Sequence, residues 1–287
     1  MSVVTTTTAP PRRPPLARAA GVRDLPAYLQ IIRGRLKTAV TYRQNVFFLV
    51  AIVVVQIFML RKVWSALYAG HQIVNGMTLH SLLVYLTIAN LQNWVLQDTT
   101  ISRYMYDRVR EGQVAFDLVR PVGFVPQMFA HLVGSSFSSM LFAIVALPFV
   151  ALAGTLDGPA GASAAGLYAL SLACGYVITM MLTLMLGMIA FWTMEIAGLT
   201  MLYFLVNQFL AGALVPVSLF PGALRVAAEI LPFQATTYAP VAIYVGKLQG
   251  SQAMQAIGVQ VVWIVLLCLG AHVMWRRALR RVVVQGG

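Results

Sequence analysis

Apolar residues run through this chain in long blocks, and the polar residues gather in the gaps between them. Six blocks are predicted to cross a bilayer as helices, because a helix rising about 1.5 Å per residue needs about 20 apolar residues to traverse roughly 30 Å of hydrocarbon. They cover residues 45–68, 77–97, 128–154, 164–191, 196–215 and 256–274. In the first, only Gln56 interrupts the apolar stretch from Val46 to Leu60, and Arg61 and Lys62 come late enough to reach outward along their own stems. The second is the least apolar, holding His80, Asn90, Gln92, Asn93 and Gln97. The sixth is expected to stop at the basic run WRRALRR.

The intervening segments differ in kind. Residues 1–22 are rich in Thr, Pro and Arg and lack an apolar core of the signal-peptide type, so they read as a disordered cytoplasmic tail. Over 23–43, Leu25, Tyr28, Leu29, Ile32, Leu36 and Val40 recur at helical steps, with Arg33, Arg35 and Lys37 mostly opposite. That pattern suits a helix lying in the membrane interface with its basic face toward anionic headgroups. Residues 98–126 hold Arg103, Asp107, Arg108, Arg110, Glu111, Asp117 and Arg120. Each charge costs about 3 kcal/mol at the bilayer centre, so this stretch is expected to be a water-exposed loop with helical pieces. TLDGPAGAS forms a turn between the third and fourth blocks, and Glu195, in the joint WTME, is placed to cap the fifth helix. Beyond it, Pro216, Pro221, Pro232 and Pro240 break an otherwise apolar region. Irregular backbone at membrane depth survives only where protein or a water-filled cavity satisfies it, so short amphipathic or re-entrant helices are expected there.

Composition removes the soluble alternative. Hydrophobic residues make up 60% of the chain and charged residues only 10%, whereas a soluble domain carries about a quarter charged residues. The net charge of +12 raises the question of nucleic acid, but the basic residues sit at block ends and form no patch with interleaved aromatics. They report orientation instead: sixteen fall in the N-terminal region, the 98–126 loop and the C-terminus, against Arg61, Lys62, Arg225 and Lys247 on the other side. The positive-inside rule then puts both termini and the charged loop in the cytoplasm. Cys174 and Cys268 lie inside apolar runs without metal or CxxC spacing and read as packing residues.

No GxxxxGK[ST], HExxH or GxSxG motif occurs, and His71, His80, His131 and His272 are too scattered to suggest a metal site. Catalysis and ATP hydrolysis are therefore not expected of this chain. Two stretches carry more information. RVREGQVAFDLVRPVGF sets Arg110, Glu111, Asp117 and Arg120 on a segment that Pro121 ends; from spacing alone, a docking element and a solvated loop stand level. The second stretch reads GALVPVSLFP and then LPFQATTYAP. With these segments the chain resembles, over nearly all its length after residue 22, the permease subunit of the type-2 ABC exporter family. The loop is similar to a viologen-exporter-like bacterial branch with the pattern G-x-x-x-x-x-L-x-R-P, matched by Gly112, Leu118, Arg120 and Pro121.

The resemblance implies an all-α polytopic protein with an interfacial helix, six spans over 44–287, a cytoplasmic coupling helix within about 98–127 and an extracellular re-entrant hairpin within about 218–250. It implies a separate nucleotide-binding ATPase subunit, holding ATP and Mg, that touches Arg108, Arg110, Glu111, Asp117 and Arg120. It further implies a second permease chain, identical or paralogous, and a hairpin whose Pro216, Phe220, Pro221 and Phe233 close the outer end of the route. Plasma membrane lipid is the remaining partner. Asn90, Asn93 and Gln97 share one face of the second span, and Asn207 and Gln208 lie in the fifth. Polar groups at that depth either line a pathway or bond between helices. Gly175, Gly187 and Gly198 are read as close-packing positions. The rival readings are an ion-coupled carrier without an ATPase, which needs an ionisable group near mid-membrane, and a membrane enzyme. An exported amphipathic drug, a lipid or a lipid-linked sugar suits the chain equally.

Overall fold

The computed structural model describes residues 25–41, 43–68, 73–74, 77–96, 100–119, 124–153, 155–193 and 195–285. The expected tail over 1–22 lies outside these residues, as do Gln97, Arg120 and Pro121. Eleven α-helices and one short antiparallel strand pair make up the described fold: α1 Leu25–Thr41, α2 Arg43–Leu67, β1 Ile73–Val74, β2 Met77–Thr78, α3 Leu79–Leu96, α4 Thr100–Arg110, α5 Val114–Val119, α6 Phe124–Ala153, α7 Ala162–Met188, α8 Ala197–Leu210, α9 Gly222–Ile230, α10 Tyr238–Tyr244 and α11 Ser251–Gln285. Ile73 pairs with Thr78 and Val74 with Met77, a hairpin the apolar pattern does not foretell.

Among the described residues, three helices are long and apolar enough to cross a membrane: Val50–Leu67 within α2, Ala162–Phe191 and Ser251–Arg281. Ala143–Leu152 within α6 and Ala197–Leu210 are shorter apolar pieces. α3 has 18 residues, but His80 and three amides dilute its apolar character.

Several boundaries correct the sequence reading. α6 begins at Phe124, four residues before the expected start at 128, because Pro126 falls in its first turn, where a missing N–H costs nothing. α11 runs on through Arg276, Arg277, Arg280 and Arg281 to Gln285; charge ends a hydrocarbon span without ending a helix. α8 stops at Leu210, five residues short of the expected 215, since Gly212 turns the chain at a φ of +81° and Pro216 follows. Its 14 residues reach about 21 Å.

α7 is the central post. Near its start Leu167 and Tyr168 pack on Ile243 and Leu248, and near its end Ile178, Leu184 and Met188 share a core with Ile101 and Met105 of α4, Met128 of α6 and Leu267 of α11. Phe124 stacks on Trp275 at 4.8 Å, joining α6 to α11. A second core around Leu82, Tyr85 and Val241 lies toward the other end. α1 packs along α6, with Tyr28 and Ile32 half-buried and Leu25 and Leu29 exposed.

Candidate functional site

The charged stretch is not simply a water-exposed loop. Ile101, Ser102 and Met105 are buried, as are Val114 and Asp117. Residues 101, 102 and 105 form one face of α4, and that face lies on α7 at Gly187, where an added Cβ would come within 2.7 Å of Met105 Sδ and 3.2 Å of Ser102 Cα. The opposite face carries the exposed Arg103, Asp107 and Arg110. The charge count is right for the outer face and hides the inner one.

Between α4 and α5 the chain reverses at Gly112, with a φ of +69° and nothing within 4 Å of an added Cβ, so the glycine there answers backbone conformation rather than space. Arg108 organises this turn. Its Nη1 donates to Gln113 Oε1 at 2.7 Å, its Nε and Nη2 donate to the Tyr104 hydroxyl at 3.1 and 2.8 Å, and its Nε lies 3.5 Å from Asp117 Oδ2. Gln113 Nε2 donates to Glu111 Oε2 at 2.7 Å. Partial burial pulls the Arg108 guanidinium down; the Tyr104 hydroxyl, then Asp117 and Glu111, more than offset it and leave it above the ordinary arginine value. Arg108 and Asp117 thus face inward, while Arg110 and Glu111 face out. Arg110 lies over the Tyr106 ring at 6.0 Å. Phe116, which the charge pattern does not single out, is 74% exposed on α5.

The amides form a second cluster, and most are engaged by backbone. Asn90 Nδ2 donates to Ala213 O at 3.1 Å and to Leu86 O at 2.8 Å, while its Oδ1 accepts from Gln56 Nε2 at 2.8 Å. Tyr85 donates to Gly212 O at 2.8 Å, and Gln92 Nε2 to Thr236 O at 2.8 Å. Gln260, fully buried in α11, donates to Ala235 O at 2.7 Å and Ser171 O at 2.9 Å. These four side chains satisfy carbonyls of residues 212–213 and 235–236, where helix has given way to turns. Gly175 lets residues 235–236 approach α7, since an added Cβ would meet Thr236 O at 2.9 Å. Gly198, by contrast, faces open space within the chain. Asn93 Nδ2 donates to Gln208 Oε1 at 2.5 Å, bringing α3 beside α8. Asn207 is the one buried residue of α8, and its Oδ1 has no hydrogen-bond partner among the described residues.

Phe220 is buried and stacks on Phe209 at 5.0 Å; Phe233 sits 6.4 Å from Tyr203. Both aromatics therefore lean on α8. Pro216 is buried at the head of a 3-10 turn, Val217–Leu219, and Pro221 is exposed ahead of α9. Glu195 behaves as the sequence suggests, its Oε1 accepting from the Ala197 N–H at 2.6 Å at the start of α8. His80 lies at the exposed head of α3, 2.5 Å from Asp157 Oδ2.

Comparison with known proteins adds one finding. The profile of a family described as ABC-2 family transporter protein matches residues 44–286. No curated relative matches the chain.

Proposed function

The chain belongs to the ABC-2 family of transporter proteins, and from that membership we propose that it is the membrane half of an ATP-driven exporter of the viologen and multidrug type. It works as a dimer of permeases with two ATPase subunits beneath, in a bacterial plasma membrane, both termini cytoplasmic, with six spans and an outer re-entrant segment within about 218–250. The supporting observation is the two-sided build of α4 and α5. One side is anchored on α7 through Met105 and Gly187, and the other presents Arg110, Glu111 and Phe116 to solvent. An ATPase gripping the outer side pulls on the inner side. ATP binding draws the two ATPases together, α4 passes the motion to α7, and the packing state that opens outward becomes the more stable one.

Arg110 and Glu111 supply charge-assisted contacts, and Phe116 supplies an apolar anchor. Arg108 and Asp117 act from inside by holding the turn in shape, and Arg120 is a further candidate contact for the ATPase. Asn207 is the amide left for a substrate or for a second permease chain, with Gln97 kept as a pathway candidate; Asn90, Asn93 and Gln208 are already engaged. An ion-coupled carrier asks for an ionisable group at mid-membrane; of its two candidates, His80 stands exposed beside Asp157 and His131 packs against Tyr104 of α4 at 5.0 Å.

The test is Phe116→Asp in the permease co-expressed with its ATPase. Losing a central aromatic anchor weakens an interface by about 2 kcal/mol or more, about thirtyfold. ATPase recovery with the permease should fall accordingly while the permease still melts as wild type. Undiminished recovery from both Phe116→Asp and an Arg110→Ala, Glu111→Ala double variant refutes the docking role.

A further inference from the structure

A cavity of about 840 Å³ opens between the outer face of α4 and the start of α8, within the roughly 300–1,000 Å³ that small-molecule sites occupy. One wall is charged, with Arg103, Asp107 and Arg110; the other carries Thr200, Met201 and Phe204. Met201 is 57% exposed and Phe204 40%.

The charges are of both signs and are differently committed. Glu195 is spent on the Ala197 N–H, and Arg110 reaches the Tyr106 hydroxyl at 3.5 Å. Arg103 and Asp107 stand one helical turn apart, about 6 Å along the axis. Neither side chain makes a hydrogen bond or ion pair among the described residues. A free cation and a free anion on one wall, facing an apolar wall, match a molecule carrying both charges at its head and a hydrocarbon tail. A simple cation leaves Arg103 repelled, and a simple anion leaves Asp107 repelled.

We infer that this cavity binds the head of a zwitterionic amphiphile, its anionic group on Arg103, its cationic group on Asp107 and the start of its tail over Met201 and Phe204. This deepens the transporter reading by naming a ligand class, and it rests on that reading only for what the ligand is carried for; the binding follows from the cavity itself. Because Arg103 and Asp107 share α4 with Arg110, and Glu111 follows directly in the turn, occupancy of the cavity is felt on the helix that leads to the docking turn.

The experiment uses the purified full chain in maltoside micelles without any ATPase, so its outcome is independent of coupling and transport. Dodecylphosphocholine, dodecyltrimethylammonium and dodecyl phosphate share one tail and differ in head charge, and native mass spectrometry counts molecules retained per chain. Dodecylphosphocholine should be retained at the lowest concentration. Arg103→Gln should weaken it about tenfold, the loss of one hydrogen bond to a charged group, Asp107→Asn should weaken it through lost charge attraction alone, since a trimethylammonium carries no N–H, and Arg103→Gln should improve the trimethylammonium probe relative to wild type. Phe204→Ala should weaken all three. Equal retention of the three probes by wild type, or unchanged dodecylphosphocholine retention in both charge variants, overturns the assignment.

Discussion

Gln260→Leu tests whether side chains hold the irregular segment at 235–236 in place. Leucine keeps nearly the same volume, so the change removes hydrogen bonds without opening a large cavity. Three are lost: to Ala235 O at 2.7 Å, to Ser171 O at 2.9 Å, and from Ser171 Oγ at 3.0 Å. Interhelical hydrogen bonds in membrane proteins average about 0.6 kcal/mol each, which sums to about 2 kcal/mol. An independent route gives a similar figure, because leaving one buried carbonyl without its donor costs about 1–3 kcal/mol, and Ala235 is that carbonyl. For a chain of this size about 2 kcal/mol lowers the melting midpoint by about 4–8 °C. Thermal unfolding of the purified permease in maltoside micelles, followed by circular dichroism, reads the shift. A variant that melts with or above wild type refutes the reasoning, since the Ala235 carbonyl must then find water or another donor.

Gly187→Ala should destabilise by about 1–3 kcal/mol through overpacking, because the new methyl meets backbone at Ser102 Cα as well as the movable Met105 sulfur; an unchanged denaturant midpoint refutes the close seating of α4. Asp117→Asn should cost more than Arg110→Ala, which is expected within about 0.5 kcal/mol of wild type. Removing one partner of a fully buried pair costs about 3–5 kcal/mol, and the expected loss is smaller because Arg108 keeps 21% of its side chain exposed; equal midpoints for the two variants refute the inward role of Asp117. Lys247, half-buried with its Nζ donating to Ser218 Oγ at 2.6 Å, has its ammonium pulled below the ordinary 10.5 by burial and then by Arg225. The unfolded chain then binds more protons than the folded chain between the lowered value and 10.5, so wild-type stability rises with pH across that window. The melting midpoint of wild type should gain on Lys247→Met as pH climbs toward 10.5; parallel profiles refute it.

Long apolar runs made α2, α7 and α11 legible, because nothing but membrane or a large core accommodates such stretches. Mixed faces were harder to read. α4 carries Arg103, Asp107, Arg108 and Arg110 among Ile101, Ser102 and Met105, and the cost of charge dominates any reading by sum; only its 3.6-residue periodicity separates the two faces. The amides of the second and fifth blocks were legible as a group but not in their roles, and Gln260 was missed. Asn90, Gln92 and Gln260 bond to carbonyls that become orphans only once the breaks near Gly212 and Ala235 are known, and the second of these lies against α7 at Gly175. Gly198 and Gly175 look alike in sequence and differ because only one has a neighbour. Phe116 depends on which side of α5 faces the core, and its six residues carry too little periodicity to say; the cavity between α4 and α8 depends on how two helices distant in sequence meet.

α8 touches the rest of the chain so sparingly that Asn207 alone is withdrawn from its surroundings. A segment with little buried surface opens at small free-energy cost, so its amide protons should exchange with deuterium well before those of α7, which buries Ile178, Leu184 and Met188. The chain therefore keeps its stiffness in one post and its compliance in the neighbouring element. Whatever settles against Met201 and Phe204 sets how long that compliant element stays still.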